Sequence, residues 1–406
     1  MTLPRHRCTK LAYGHGAVLA AVLLGCGGGG HSATPGSPAS HAGAPLRLSP
    51  CNVAPQARCG TLRVALAPAH PGGRQLGLRV AAVGDPGKPV LLALAGGPGQ
   101  PGTPFLGRTR SRLGAVADRF RLVVIDQRGT GAGALRCPAL QRAMGTSDLT
   151  VAPAPAVRDC ARRLGPSRAL YTTTQVVADL EALRRALQAA RMWIMGASYG
   201  TYVAERYALA HPRNVAGLVL ASVVPQTGVD ATLQDNLRAA GRVLRAACER
   251  CSTDPARDLH RAAAGDRSGL DRLVAATRRA QAAPASVLSQ GLHAATLCAE
   301  LAPRRTARRV WPFDAATAAH NGINQLCRNW PPTEPPAGLD RRLPAVPTLL
   351  LEGAADLSTN VAWMRQEARW IPHPTIRVLN GVGHGVLRSP AGIRALRSFL
   401  ESGSGP

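Results

Sequence analysis

Three residue types that carry out acyl hydrolysis follow apolar runs in this sequence. Ser198 lies in GASYG, between the run MWIM and a helical pattern. Asp356 follows the run TLLLEG, and His384 lies in GVGHG, after the run TIRVLNG. A serine becomes a nucleophile when a histidine takes its proton and an acidic residue orients that histidine. These three positions therefore predict nucleophilic chemistry at a carbonyl group.

Glycines on either side of Ser198 indicate a cramped turn from a strand into a helix. Gly196 and Gly200 complete the pattern G-x-S-x-G, in which the serine is exposed above a sheet at a helix N-terminus. The helix dipole and the N–H group of Tyr199 favour a developing oxyanion there. Taken alone, the motif is also compatible with an ordinary tight turn in a parallel sheet.

Chain order and loop position select the partners of Ser198. Sites of this type follow the order serine, acid, histidine. Glu352 is the alternative acid, but it falls inside its predicted strand, whereas Asp356 follows that strand. His373 precedes its predicted strand and is interpreted as an ordinary loop histidine. We therefore predict Ser198, Asp356 and His384 as the catalytic residues.

The stretch LAGGPGQPG predicts a second loop at the same edge of the sheet. Glycine lets the backbone approach a substrate carbonyl closely. We expect the N–H groups of Gly97 and Tyr199 to form the oxyanion hole. A plain Gly/Pro turn is the alternative interpretation of this loop.

Alternating apolar runs and helical patterns predict an α/β fold that positions these loops. The runs indicate a mostly parallel, eight-stranded sheet with helices on both faces. Strand-like runs are missing over 226–343, where Ala/Arg/Leu helices occur instead. The sequence therefore predicts a core over 46–225 and 344–402, with a helical lid over 226–343 at the carboxyl edge of the sheet.

The first residues predict export. Basic residues precede the apolar run 17–24, which is too short for a stable membrane anchor, so residues 1–26 are interpreted as an export signal. LLGC resembles a bacterial lipobox and predicts a lipid anchor through Cys26, with simple cleavage nearby as the alternative. Residues 27–45 predict a flexible linker. We expect a lipoprotein of the bacterial cell envelope, or a secreted or periplasmic protein.

The cysteines favour disulfides. Without Cys8 and Cys26, the remaining eight form an even set in a chain predicted to be exported. Spacing does not fix the connectivity. Local pairing, the simplest choice, joins Cys51 to Cys59, Cys137 to Cys160, Cys248 to Cys251 and Cys298 to Cys327. CERC is alternatively half of a zinc or redox site, although the sequence has no second CxxC and we expect no metal.

The net charge of +26 comes almost entirely from arginine. Arginines are scattered through helical patterns rather than clustered in a tail, and no nucleic-acid motif accompanies them. We therefore expect no nucleic-acid partner, and at most a loose attraction to anionic cell surfaces.

Several motifs together resemble the proline iminopeptidase and tripeptidyl aminopeptidase group of serine exopeptidases (peptidase family S33 type) in the α/β-hydrolase superfamily. The motifs are CGTLRVAL, GGPG, DQRGTG, YTTTQVVADLEALR, GASYGT, CRNWP, PTLLLEGAADLSTN and GVGHG. The resemblance covers residues 46–401 and is strongest toward the secreted tripeptidyl-aminopeptidase-like branch. Two positions depart from the group: Ala95 stands where a histidine often precedes the glycines, and Ser222 where an acidic residue is common.

The resemblance implies an exported aminopeptidase that releases N-terminal residues or short peptides through an acyl-enzyme, without a metal or an organic cofactor. In this group the lid supplies carboxylates that bind the substrate amine. The acidic residues of this lid, none of which the sequence singles out, are Asp230, Asp235, Glu249, Glu300 and Asp314. An esterase acting on a small ester and a non-catalytic envelope-binding protein are the alternatives, and the oligomeric state is left open.

Overall fold

A computed structural model describes residues 45–147, 150–248, 282–301, 306–333 and 341–403 of the chain. Within these ranges, nine strands form one sheet in the order β1-β2-β3-β5-β4-β6-β7-β8-β9. The strands are β1 (Ser49–Pro50), β2 (Arg58–Ala65), β3 (Gln75–Val83), β4 (Val90–Leu94), β5 (Arg121–Ile125), β6 (Met192–Ala197), β7 (Val215–Ala221), β8 (Thr348–Gly353) and β9 (Thr375–Leu379).

The predicted fold class is confirmed, with one more strand than expected. Pairings are antiparallel from β1 to β3 and between β3 and β5, and parallel from β5 through β4 to β9. The additional strand, β1, has two residues and pairs Ser49 with Cys59 and Pro50 with Arg58. A two-residue strand is too short to show the alternating pattern from which strands are predicted.

Helices cover both faces of the sheet. In chain order they are α1 (Leu106–Leu113), α2 (Pro138–Met144), α3 (Ala154–Leu164), α4 (Thr173–Ala186), α5 (Tyr199–Ala210), α6 (Gln234–Cys248), α7 (Gln290–Glu300), α8 (Ala315–Ala319), α9 (Gly322–Arg328), α10 (Val361–Ala368) and α11 (Pro390–Gly403). Leu92 of β4 belongs to the apolar cluster with α4 and α5, and Leu91 to the cluster with α1 and α11. Because successive residues of a strand point to opposite faces, both faces of β4 are buried.

Parallel strands bring three predicted site residues to one edge of the sheet. Ser198 directly follows β6, Asp356 follows β8, and His384 follows β9. Strands β6, β7, β8 and β9 are consecutive neighbours and run in the same direction, so their carboxyl ends lie together. Ligand sites of such sheets form at this edge.

The described part of 226–343 contains helices α6 to α9 and one isolated bridge between Val310 and Phe313. Helix α7 is buried over most of its length, and the disulfide Cys298–Cys327 ties it to α9. The limits of the core and of the lid stay predictions.

Three of the four locally paired disulfides are confirmed: Cys51–Cys59, Cys137–Cys160 and Cys298–Cys327. The fourth pair and the alternative reading of CERC fall outside the described residues, because Cys251 lies beyond α6. The same applies to the predicted export signal (1–26), including Cys26, and to the linker except its last residue. No helix in the described ranges is both long and apolar enough to cross a membrane.

Candidate active site

Ser198 occupies a strained turn between β6 and α5. Its φ of 54° lies in the left-handed region, which a side chain rarely adopts. A Cβ atom on Gly196 would overlap the carbonyl group of Gly200, and one on Gly200 would lie 2.7 Å from Leu94 O. The two glycines therefore permit the turn that lifts Ser198 onto the N-terminus of α5, as the G-x-S-x-G pattern predicts.

Asp356 and His384 form a hydrogen-bonded pair at the same edge. His384 Nδ1 lies 2.9 Å from Asp356 Oδ2. Asp356 is buried, whereas 40% of the His384 side chain is exposed, so the imidazole faces the cavity with the carboxylate behind it. This is the geometry by which an acid orients a histidine that exchanges protons with a serine.

Three further hydrogen bonds hold the carboxylate of Asp356. The N–H groups of Ser358 and Thr359 donate to Oδ1 at 2.8 and 2.9 Å, and the Thr359 hydroxyl donates to Oδ2 at 2.9 Å. Burial by itself raises the pKa of Asp356, but the hydrogen bond and charge of His384 and these N–H donors outweigh it, so the pKa is lowered. Asp356 is therefore ionised at neutral pH.

Glu352, the alternative acid, is fully buried at the end of β8 and serves a different purpose. Its carboxyl oxygens accept hydrogen bonds from Val223 N at 2.9 Å and from Gly353 N at 3.0 Å. Burial, and then the negative charge of Asp356, raise the pKa of Glu352 to about 9. At neutral pH, Glu352 is accordingly an uncharged group that joins the ends of β7 and β8.

The GGPG loop lies directly against Ser198. A Cβ atom on Gly96 would be 3.1 Å from Ser198 Cβ, and Gly97 has a φ of 108° that favours glycine. Gly97 and Tyr199 line the same cavity as Ser198. The structure thus places the two predicted oxyanion donors on either side of the serine, one in the loop after β4 and one at the start of α5.

Two residues that sequence reasoning missed support the histidine. Ser222, after β7, donates from its hydroxyl to the backbone carbonyl of His384 at 3.0 Å. Thr359 Oγ1 lies 3.3 Å from His384 Nδ1, besides its bond to Asp356. Hydroxyl residues are common in loops, so Thr359 carries no sequence signal. The signal at Ser222 is that the related group often has an acidic residue at this position.

A cavity of about 470 Å³ opens above Ser198 and His384. Its roof comes from the lid, through Leu288 and the α7 residues His293 and Leu297. The roof is anchored to the GGPG loop, because Ser289 N donates to Gly99 O at 3.0 Å and His293 Nδ1 lies 3.0 Å from Pro98 O. A cavity of this size accommodates a small organic substrate or a short peptide end.

The described acidic residues of the lid do not line this cavity, and each binds a neighbour. Asp230 contacts Thr232, Asp235 pairs with Arg238, and Asp314 caps α8 through Thr317 N. Glu300 is half-buried, and it accepts a hydrogen bond of 2.9 Å from Thr173 N. Glu249 lies outside the described residues. His373, at the amino end of β9, is far along the strand from the edge that carries the site.

The sequence matches the family model described as alpha/beta hydrolase fold over residues 89–387, a range that includes the serine, the acid and the histidine. It is 29% identical over 189 residues to the tripeptidyl aminopeptidase of Streptomyces coelicolor, covering 41% of this chain and 35% of that protein. It is 33% identical over 168 residues to a "Probable proline iminopeptidase" of the same organism, covering 41% of this chain and 42% of that protein. The matches thus span less than half the length of these relatives.

The solved structure of Rv0554 from Mycobacterium tuberculosis aligns at a TM-score of 0.48 and 18% identity, covering 85% of this chain and all of that one. The family match and the named relatives confirm the resemblance noted from the motifs. Family and fold together support a hydrolase.

Proposed function

Because this chain belongs to the α/β-hydrolase fold family, we propose that it is a serine hydrolase that releases residues or short peptides from the N-termini of peptides. The observation that carries the hydrolase assignment is the convergence of the Ser198 turn and the Asp356–His384 pair on one cavity. The aminopeptidase assignment is supported by the names of the relatives and by the roof of the cavity, which admits a chain end more readily than the middle of a long chain.

In the proposed reaction, Ser198 Oγ attacks the substrate carbonyl while His384 Nε2 takes the hydroxyl proton. The N–H groups of Gly97 and Tyr199 stabilise the negative charge on the carbonyl oxygen. The tetrahedral intermediate then expels the leaving amine, which receives the proton from His384, and an acyl-enzyme remains. Water, deprotonated by His384, attacks the acyl carbon, and Ser198 leaves with the proton. Asp356 orients the imidazole and stabilises its positive charge throughout.

Labelling tests the nucleophile. A fluorophosphonate probe should modify wild-type protein at Ser198, and Ser198→Ala should abolish labelling while the melting temperature stays unchanged. Labelling of Ser198→Ala at the wild-type rate would place the nucleophile elsewhere.

Substrate capping tests the aminopeptidase assignment. A free α-ammonium group under the roof needs favourable contacts, since an unpaired buried charge is costly. We expect N-acetylated peptide amides to be cleaved at least ~100-fold less well than their free-amine forms, which corresponds to about 2.7 kcal/mol of transition-state binding. Equal rates on capped and free amides would contradict an aminopeptidase and leave the serine hydrolase intact.

An esterase is the second candidate, and the charge of the cavity favours it. Arg108, Arg112 and Arg388 line the cavity that holds Ser198. Their positive charge opposes the approach of an ammonium group and does not affect a neutral ester. Activity confined to short esters, with no cleavage of free-amine peptide amides, would support this alternative.

We further propose export to the cell envelope, with Cys26 as the lipid-modified residue. The three disulfides support export, because such bonds persist in oxidising compartments. Mass spectrometry of the mature N-terminus from a bacterial host tests the anchor: we expect a diacylglyceryl adduct on Cys26 and its loss in Cys26→Ala. An unmodified N-terminus downstream of Cys26 would instead indicate simple cleavage.

A further inference from the structure

Three arginines share the cavity with Ser198 and His384. Arg108 and Arg112 lie one helical turn apart on α1, and Arg388 ends the short 3₁₀ helix Val386–Arg388 that follows His384. Residues four apart on a helix present their side chains on the same face. Among the described residues, two elements of the predicted core therefore supply positive charge to this cavity.

Arg388 lies beside the catalytic histidine. A Cβ atom on Gly385, the residue after His384, would be 2.6 Å from Arg388 Nε and 2.8 Å from Nη2. The guanidinium group therefore folds back onto the backbone that carries His384. Because His384 delivers its proton to the leaving group, Arg388 lies near the leaving-group side of a bound substrate.

The charges of Arg108 and Arg388 act on the guanidinium group of Arg112. Burial lowers the pKa of Arg112, and the positive charges of Arg108 and Arg388 lower it further. Arg108 stacks on the ring of Phe105, with 4.8 Å between its Cζ atom and the ring centroid, which keeps its guanidinium at the cavity. Like charges gathered in this way disfavour one another unless an anion lies between them.

Some arginines of the fold have carboxylate partners, which these three lack within the described residues. Arg110, on the same helix, pairs with Asp118 at 2.9 Å, and the buried Arg128 pairs with Asp179 at 2.6 Å. Among the described residues, no ion pair involves Arg108, Arg112 or Arg388. The fold thus presents three guanidinium groups to whatever enters the cavity.

We propose that Arg108, Arg112 and Arg388 bind a carboxylate of the substrate on the leaving-group side of the scissile bond. This inference rests on the proposed serine hydrolase activity and names the substrate class of that site: acyl compounds whose leaving group carries a negative charge. In a short peptide, the carboxylate is either the C-terminus or an acidic side chain next to the cleaved bond. Guanidinium groups bind carboxylates in a paired, directional geometry, so they position the leaving group as well as attract it.

A matched pair of esters tests the preference independently of peptidase activity. The anionic substrate is 3-acetoxybenzoate and the neutral one is its methyl ester, which have the same acyl group and the same ring. The quantity to compare is kcat/KM for the anionic ester divided by kcat/KM for the neutral ester. We expect this ratio to be at least ~10-fold higher in wild type than in Arg112→Gln, since a hydrogen bond to a charged group contributes enough free energy for such a factor. Arg112→Lys should restore part of the ratio, and added salt should lower it.

Arg110→Gln is the matched control. It removes the same charge from the same helix, but Arg110 pairs with Asp118 and does not line the cavity. Its ratio should equal that of wild type. A ratio that falls equally in Arg110→Gln and Arg112→Gln would overturn the carboxylate site, because net charge alone would then explain the preference. Equal ratios in wild type and Arg112→Gln would overturn it as well.

Short peptides distinguish the two sources of the carboxylate. Faster cleavage of Ala-Ala than of Ala-Ala amide supports the C-terminus, whereas faster cleavage of Ala-Glu amide than of Ala-Ala amide supports an acidic side chain.

The two esters also separate the carboxylate site from the hydrolase activity itself. If wild type hydrolyses both esters with no preference, only the proposed carboxylate site is overturned. If wild type shows neither hydrolysis nor fluorophosphonate labelling, the proposed hydrolase activity and the carboxylate site are overturned together.

Discussion

The Ser222 hydroxyl donates a hydrogen bond of 3.0 Å to the backbone carbonyl of His384. It thereby connects the end of β7 to the loop that carries the histidine, in addition to the Asp356 contact at the ring. Ser222 is a positioning residue, because it acts on the backbone of His384 and not on the ring.

Ser222→Ala should lower kcat about fivefold with little change in KM, since a hydrogen bond of this type contributes roughly 1 kcal/mol. Steady-state kinetics on an ester or amide substrate measures the split. Ser402→Ala removes a similar serine-to-carbonyl bond at the end of α11 and serves as the control, with no effect on kcat. A purely structural role for Ser222 would lower the melting temperature and leave kcat unchanged.

Asp356→Asn and Glu352→Gln separate the two carboxyl groups at the end of β8. Because Asp356 orients the imidazole, its amide variant should reduce kcat by ~10³–10⁴-fold. Glu352 is uncharged at neutral pH, so Glu352→Gln should keep kcat within about tenfold of wild type. The two variants are compared at pH 7 with the same substrate. A larger loss in Glu352→Gln than in Asp356→Asn would transfer the role of the acid to Glu352.

Buried carboxyl groups should make the protein less stable as pH rises. Burial raises the pKa of Glu352 to about 9 and that of Glu367 to about 7. Between the unfolded pKa, about 4.5, and these values, the native state holds protons that the unfolded state has lost, so the free energy of unfolding falls with increasing pH. We expect the melting temperature to decline from pH 5 to pH 9.

Glu352→Gln checks the origin of that decline. The amide does not titrate, so the variant should lose less stability than wild type between pH 8 and pH 9, where Glu367, with a pKa of about 7, has released most of its proton. Glu401→Gln, at the exposed end of α11, is the control and should follow wild type. Parallel curves for Glu352→Gln and wild type would refute a raised pKa for Glu352.

The glycines of the Ser198 turn should tolerate no side chain. A Cβ atom on Gly200 would lie 2.7 Å from Leu94 O and 2.9 Å from Ala95 O, both backbone atoms directly before the GGPG loop. Gly200→Ala should destabilise the fold by about 1–3 kcal/mol and reduce activity by displacing that loop. Denaturant unfolding and kinetics measure both effects. Gly133→Ala, where nothing lies within 4 Å of the new Cβ, should leave both unchanged.

Local sequence features predict which residues meet at the carboxyl edge of this sheet. Ser198 is flanked by two glycines, and Asp356 and His384 each follow an apolar run, so strand order alone brings them together. The choice of Asp356 over Glu352 rests on position: Glu352 lies inside its strand, where side chains point to a face of the sheet, whereas Asp356 lies in the loop beyond the end of that strand. The pairing of His384 with Asp356 is consistent with that reasoning.

Other features depend on contacts between distant segments and carry no local signal. Ser222 is bonded to a carbonyl 162 residues later in the chain, and nothing in its sequence neighbourhood predicts that bond. Arg112 and Arg388 are two of many scattered arginines, and only the fold separates those that line the cavity from those paired elsewhere. The two-residue strand β1 is likewise defined by its partner, β2.

Strands β7 and β8 are hydrogen-bonded neighbours, although the lid separates Ala221 from Thr348 along the chain. The serine side of the site therefore precedes the lid in synthesis, and the acid and the histidine follow it. A growing chain therefore contains Ser198 before it contains Asp356 and His384, the proposed partners of the serine. In the proposed mechanism, hydrolysis therefore requires β8 and β9 to have joined the sheet.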